Sequence, residues 1–162
     1  MDSDLIPKPV NASGLWADDL HEGMAFRSST YVVTEEQIIT FATTFDPQLY
    51  HLDADGARGT FFDGLVASGR HTAAITMRLL VTSALPLATG IVGAAIDLAR
   101  PSAARAGDAL RVEGQIDKLS FSRSRPSRAT VLMSYKTEDQ DGDVRQSTSA
   151  RVLTFRRPEA GD

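Results

Sequence analysis

Residues 67–84 read as a helix with apolar side chains around most of its circumference, and everything beyond Pro86 reads as strand. Ala73, Ala74, Ile75, Met77, Leu79, Leu80 and Val81 fill the helical wheel, leaving His71, Arg78 and Thr82 as a narrow polar stripe at i, i+7 and i+11. A helix apolar on nearly all sides has to be enclosed. Only strands remain to enclose it. Residues 90–99 are rich in Ile, Val and Ala; residues 109–120 alternate Leu110, Val112, Gly114, Ile116; residues 129–136 alternate Ala129, Val131, Met133, Tyr135. A period of two marks strands with one buried face. Asp141-Gly142 predicts a hairpin turn, and residues 144–156 a closing strand. The expected architecture is α+β, a single antiparallel sheet wrapped around one buried central helix. No internal repeat is present.

Ahead of that helix, residues 1–22 look like an extended arm with apolar anchors at Leu15, Trp16 and Leu20, the folded domain spanning 23–158. Trp16 is expected to pack on the domain. Residues 24–34 read as a first strand. Thr34 followed by Gln37 three positions on is a capping-box pattern, with Glu35 and Glu36 in the first turn. Ile38, Phe41, Ala42 and Phe45 then form one apolar stripe. Pro47 disfavours the α region at Asp46, so the helix is expected to end there. Residues 53–64 predict a small helical turn and a loop over the site. In it, Phe61 and Phe62 are read first as core-facing anchors and alternatively as the lining of an acyl pocket.

Asp46 and His51 therefore sit five residues apart across a helix end and a turn, where their side chains are free to converge on one water molecule. A carboxylate beside an imidazole is a workable proton-transfer pair, because histidine side chains titrate near neutral pH and the carboxylate orients the ring. The same residues also read as an ordinary loop with a capping Asp and a packed His. Gly69, eighteen residues after His51, falls in the first turn of the central helix, where backbone N–H groups have no intrahelical acceptor. His71 is expected to be a partly exposed helix or channel-wall residue, and His21 has no assigned role.

Taken together, Phe41-Ala42, Asp46-Pro47-Gln48, His51-Leu52-Asp53 and Ala67-Ser68-Gly69 resemble the MaoC-like dehydratases, the family that includes the (R)-specific enoyl-CoA hydratases of hot-dog fold. The resemblance runs from about Thr34 to the end of the chain. The family's motif has an Asp and a His five apart with Asn and Pro between, then a His-Gly pair opening the central helix. Here Gln48 stands at the Asn position, Pro47 comes one residue early and Ser68 replaces the His. Met77 occupies a position that is often Ser. Arg100-Pro101 with 107–110, and the turn 122–126, also resemble the family and are read as non-catalytic.

The resemblance implies a hydratase interconverting trans-2-enoyl and (R)-3-hydroxyacyl thioesters of coenzyme A or a carrier protein. Asp46 and His51 would hold the water, the Gly69 N–H would face the thioester oxygen, and Gln48, Phe61, Phe62, Ser68 and Met77 would shape the substrate site. It also implies a homodimer. The alternatives are a non-catalytic acyl-thioester binding or accessory subunit, kept open by Gln48 and Ser68, and a hot-dog thioesterase. The latter usually keeps its carboxylate on the central helix, yet residues 67–84 contain no Asp or Glu.

Composition narrows the field. A net charge of −4 argues against broad nucleic-acid binding, although residues 100–128 are basic and read either as solvated surface or as a phosphate patch for coenzyme A. There are no cysteines, three scattered histidines without metal-ligand spacing, no apolar run long enough for a membrane span and no secretory signal pattern. A cytoplasmic protein needing no metal or redox cofactor is expected.

Overall fold

A computed structural model describes residues 4–159. Six strands, β1 (Ala25–Arg27), β2 (Tyr31–Val32), β3 (Val92–Ala99), β4 (Ala109–Phe121), β5 (Arg128–Glu138) and β6 (Val144–Phe155), form one antiparallel sheet in the order β1-β4-β5-β6-β3, with β2 also paired to β4. Three helices, α1 (Glu35–Phe45), α2 (Leu49–Leu52) and α3 (Gly69–Leu79), lie between β2 and β3. The strand periodicities place Val112, Ile116, Val131, Met133, Tyr135 and Val152 on one buried face, in a single core with Ile75 and Leu79 of α3. This is the hot-dog arrangement expected, with α3 as its central helix.

The first strand is interrupted. Ser28 Oγ accepts from Val112 N at 2.8 Å and Ser29 N donates to Ser83 Oγ at 2.9 Å. Ser28 keeps one backbone bond, Ser28 N to Val112 O at 2.9 Å, but its hydroxyl takes the return bond and Ser29 turns to Ser83, which splits the expected strand into β1 and β2. Trp16 is buried with Ala88 and Phe155, so the arm is anchored as predicted.

The central helix departs from expectation in two ways. It starts at Gly69 with Ser68 as N-cap, and beyond Leu79 it widens into a π-type turn over Leu80–Ala84. It is also not enclosed on all sides. Ala74, Met77, Arg78 and Val81 are exposed, whereas His71, Thr72 and Thr76 are buried. The sheet covers only one arc of the helix, and α1 covers the edge next to it. His71 is buried because Phe41 of α1 stacks on its ring at 4.7 Å, while Arg78, two turns on, lies beyond α1. The hydroxyls on the covered arc are paired internally: Thr76 Oγ1 lies 2.7 Å from Thr137 Oγ1 of β5. Among the described residues no helix is long and apolar enough to cross a membrane.

Candidate active site

The capping box forms as read: Thr34 Oγ1 accepts from Gln37 N at 3.2 Å and Gln37 Oε1 accepts from Thr34 N at 3.0 Å. Helix α1 runs from there to Phe45, and Asp46 leaves the helical path as its C-cap. Ile38 and Ala42 carry the buried stripe; Phe45 runs past the edge of the core and is 70% exposed. The next helical turn lies earlier than expected, at α2, and carries His51. Two bonds clamp this turn to the segment leading into α3: Val66 N donates to Tyr50 O at 2.9 Å, and His51 Nδ1 lies 2.7 Å from Val66 O.

Because the Val66 carbonyl can only accept, His51 Nδ1 carries a proton and Nε2 is the atom turned to the site. It stands 3.3 Å from Asp46 Oδ2, and among the described residues no other histidine lies this close to a carboxylate. The ring is 6% exposed and the carboxylate 22%. Asp46 is held by two side chains, one of them braced by a third. Ser68 Oγ donates to Oδ2 at 2.6 Å, Gln48 Nε2 donates to Oδ1 at 2.6 Å, and Tyr50 donates its hydroxyl to Gln48 Oε1. These contacts hold the Asp46 carboxyl below the ordinary carboxylate range: the Ser68 and Gln48 hydrogen bonds first, then the charges of His51 and Arg70, all against the opposing effect of burial. Asp46 is therefore ionised at neutral pH and available as a hydrogen-bond acceptor.

A cleft of about 460 Å³ opens in front of the pair, lined among others by Gln48, Tyr50, Phe61, Phe62, Gly69 and Arg100. That size suits a small ligand or acyl group. Two larger hollows, about 620 Å³ on the sheet and about 680 Å³ beside α1, contain no histidine–carboxylate pair.

The structure thus brings Asp46, Gln48, His51, Phe61, Phe62 and Gly69 to one cleft. Phe61 is 92% exposed and Phe62 half-buried against Tyr50, so neither is a core anchor; the tight turns through Gly64 hold them at the rim. Ser68 is fully buried, and its hydroxyl serves Asp46 and the Arg70 N–H rather than open space. Met77 does not line the cleft; it lies on the exposed arc of α3. Gly69 N–H has no hydrogen-bond partner among the described residues, and the first bond of α3 runs from Thr72 N to Ser68 O at 3.1 Å.

Tyr50 and Arg100 belong to the cleft, although the sequence assigned Tyr50 no role and read Arg100 only as part of the basic stretch, solvated or phosphate-binding. For Tyr50 the only signal was adjacency to His51, and Arg100-Pro101 was read as part of a strand–turn–strand segment without a catalytic role. The basic stretch 100–128 does not form one patch. Its two ends are separated by β4, thirteen residues long and therefore about 40 Å from end to end. Between them Arg111 pairs with Glu113 and Glu138.

Known proteins carry the same architecture. A curated relative, the uncharacterized protein YdeM of Bacillus subtilis (strain 168), is 36% identical over 64 residues, which is 40% of this chain and only 45% of that protein. The crystal structure of a MaoC-like dehydratase from Rhodospirillum rubrum is 50% identical, superimposes with a TM-score of 0.86 and is matched over 90% of this chain and 99% of its own. The R-hydratase PhaJ1 from Pseudomonas aeruginosa shares the fold at a TM-score of 0.74 and 22% identity, over 92% of this chain and 93% of its own. The family model described as MaoC like domain matches residues 20–135, so this chain belongs to the MaoC-like domain family.

Proposed function

We propose that this protein adds water to trans-2-enoyl thioesters, giving (R)-3-hydroxyacyl thioesters, and catalyses the reverse dehydration. One observation carries the reading: an ionised Asp46 and the Nε2 of a tautomer-fixed His51 lie 3.3 Å apart at the floor of a cleft. A water in the cleft that donates a hydrogen to this pair keeps an oxygen lone pair directed at the substrate C3. As the C3–O bond forms, the water proton passes to the pair, and an electron pair moves through C2 onto the thioester oxygen. A proton returned from the pair to C2 completes the addition, and no redox or metal cofactor is called for. The unpaired Gly69 N–H, at the positive end of α3, is the donor suited to the enolate-like oxygen. The (R) product is supported by the R-hydratase with which the chain shares its fold.

The functional unit we propose is a homodimer. Strand β3 is an edge strand, exposed except for half-buried Leu98, with Val92 49% and Ile96 56% exposed. An unprotected apolar edge of this kind is removed by pairing with a second copy.

Incubation with crotonyl-CoA tests the reaction. Loss of enoyl absorbance with no free thiol is expected, with chiral analysis giving the (R) alcohol. Thiol release would indicate a thioesterase instead, and an unreacted thioester that still binds would indicate an accessory subunit.

A further inference from the structure

Gly69 has no side chain, and the space a side chain would take is already filled by Arg100. Its Nε, Cδ and Cζ lie 2.6, 2.7 and 2.8 Å from where a Cβ on residue 69 would stand. The guanidinium therefore lies along the first turn of α3, in the cleft that holds Asp46 and His51. The loop bearing it is fixed at several points. Ala67 N donates to Ala104 O at 2.8 Å, Ser102 Oγ donates to Val144 O at 2.8 Å, and Arg145 Nη1 donates to Ser102 Oγ at 3.0 Å. Arg145 is itself locked by Asp139 at 2.7 Å.

Arg145 has its carboxylates; Arg100 has none. Arg100 enters no ion pair among the described residues, and the charge that acts on it is Arg70, of the same sign. Burial and the Arg70 charge both push the Arg100 pKa down. Asp46, the one carboxylate lining the cleft, is committed to Ser68, Gln48 and His51. Arg100 in the cleft, with the Arg70 charge acting on it from outside the lining, faces one engaged carboxylate, and the positive charge left beside the reacting position is one that an incoming anion relieves. The planar fork of an arginine matches a carboxylate in two-point contact.

We propose that Arg100, backed by Arg70, is a carboxylate subsite, and that the acyl group handled here carries a carboxylate close to its double bond. The substrate class is then the monothioester of an unsaturated dicarboxylic acid. The identity of the reaction rests on the hydratase reading above; the subsite does not. A phosphate of the thioester carrier is the other anion within reason. It lies many bonds beyond the sulfur, however, whereas Arg100 packs on Gly69, whose N–H is the donor proposed for the thioester oxygen.

The test compares two five-carbon substrates, glutaconyl-CoA with its terminal carboxylate and neutral trans-2-pentenoyl-CoA. The wild type is expected to favour glutaconyl-CoA in kcat/KM by about tenfold or more, and Arg100→Gln to lower the glutaconyl value about 10- to 100-fold, as loss of a charged hydrogen bond does, collapsing the ratio. Arg100→Lys should restore part of it. Preference for the neutral substrate, or a ratio that survives Arg100→Gln, overturns the proposal. Repeating the pair as N-acetylcysteamine thioesters, which have no phosphate, should preserve the ratio; if the dependence on Arg100 vanishes there, the arginine meets the carrier and the proposal fails. Should no thioester be hydrated, the hydratase reading is what has failed, and calorimetry decides the subsite alone. Glutaryl-CoA should then bind wild type about tenfold more tightly than pentanoyl-CoA and lose that advantage in Arg100→Gln, whereas equal binding refutes the subsite.

Discussion

The Ser68 hydroxyl donates to Asp46 Oδ2 at 2.6 Å, joining the N-cap of the central helix to the C-cap of α1 across 22 residues. The same oxygen accepts from Arg70 N at 3.2 Å, so one side chain caps a helix and aims the proposed base. Ser68→Ala removes both contacts. Loss of the cap is expected to cost about 1 kcal/mol. The sign of the pH effect follows from the depressed Asp46 pKa, whose first cause is this bond. A carboxyl with a lowered folded pKa contributes stability above its unfolded pKa and loses it as pH falls through the folded value. Without Ser68 the folded value rises, so both the acid limb of kcat/KM and the acid loss of stability should begin at higher pH. A pH–rate profile and a melting series from neutral to acid check this; an unmoved acid limb would show that Ser68 does not tune Asp46.

Asp46→Asn keeps the shape of the side chain but removes its charge, and His51→Ala removes the acceptor at Nε2. Each is expected to lower turnover on crotonyl-CoA by about 10²–10⁴-fold, the usual range for general acid–base groups. Circular dichroism should stay native. An Asp46→Asn enzyme retaining more than roughly a tenth of wild-type turnover is incompatible with the role given to it.

Two substitutions at Gly69 separate the backbone donor from the space around it. A Cβ in either Ala or Pro meets Arg100 within 2.6 Å, and the flexible arginine can move aside. Only Pro also removes the N–H. Position 69 opens α3 and Ser68 has ψ 140, so Pro is sterically admissible there. The expected result is a moderate loss for Gly69→Ala and a further loss of about 10²–10³-fold in kcat for Gly69→Pro. Equal kcat in the two variants would move the oxyanion contact elsewhere.

Ile96 is 56% exposed in the middle of edge strand β3. Ile96→Lys puts a charge where a second β3 would pair, and sedimentation should show the variant shifted to monomer at concentrations where the wild type is dimeric. If wild type itself sediments as a monomer while hydrating enoyl-CoA, the dimer proposal is wrong.

Thr76→Val leaves the fully buried Thr137 hydroxyl without its partner. A destabilisation of about 1–3 kcal/mol is expected from the unsatisfied group, and Thr76→Val/Thr137→Val should cost less than the sum of the two single changes. Urea melts of the four proteins measure the coupling; strict additivity would mean that the two hydroxyls do not interact.

What the sequence determined on its own was written in short-range steric rules. The alternation at Ala129, Val131, Met133 and Tyr135 forces one face inward whatever lies opposite it, and all four are buried. Pro47 ends α1 at Phe45, and the Thr34–Gln37 pair starts it, because both act on the backbone within one turn. The one strand misread from its sequence, the split of β1 from β2, depends on Ser29 meeting Ser83, 54 residues away.

Only the tertiary structure decided which arc of α3 the sheet covers. A helical wheel records that Met77, Val81 and Ile75 are apolar, but not that the sheet and α1 together reach barely half of the circumference. That is why Met77 faces outward while polar His71 and Thr76 are enclosed. The contacts that join the parts of the cleft, Ser68 on Asp46 and Arg100 over Gly69, span 22 and 31 positions of sequence. They form where separate loops converge, and such convergence is set by how whole elements pack, a property that no local pattern of residues encodes.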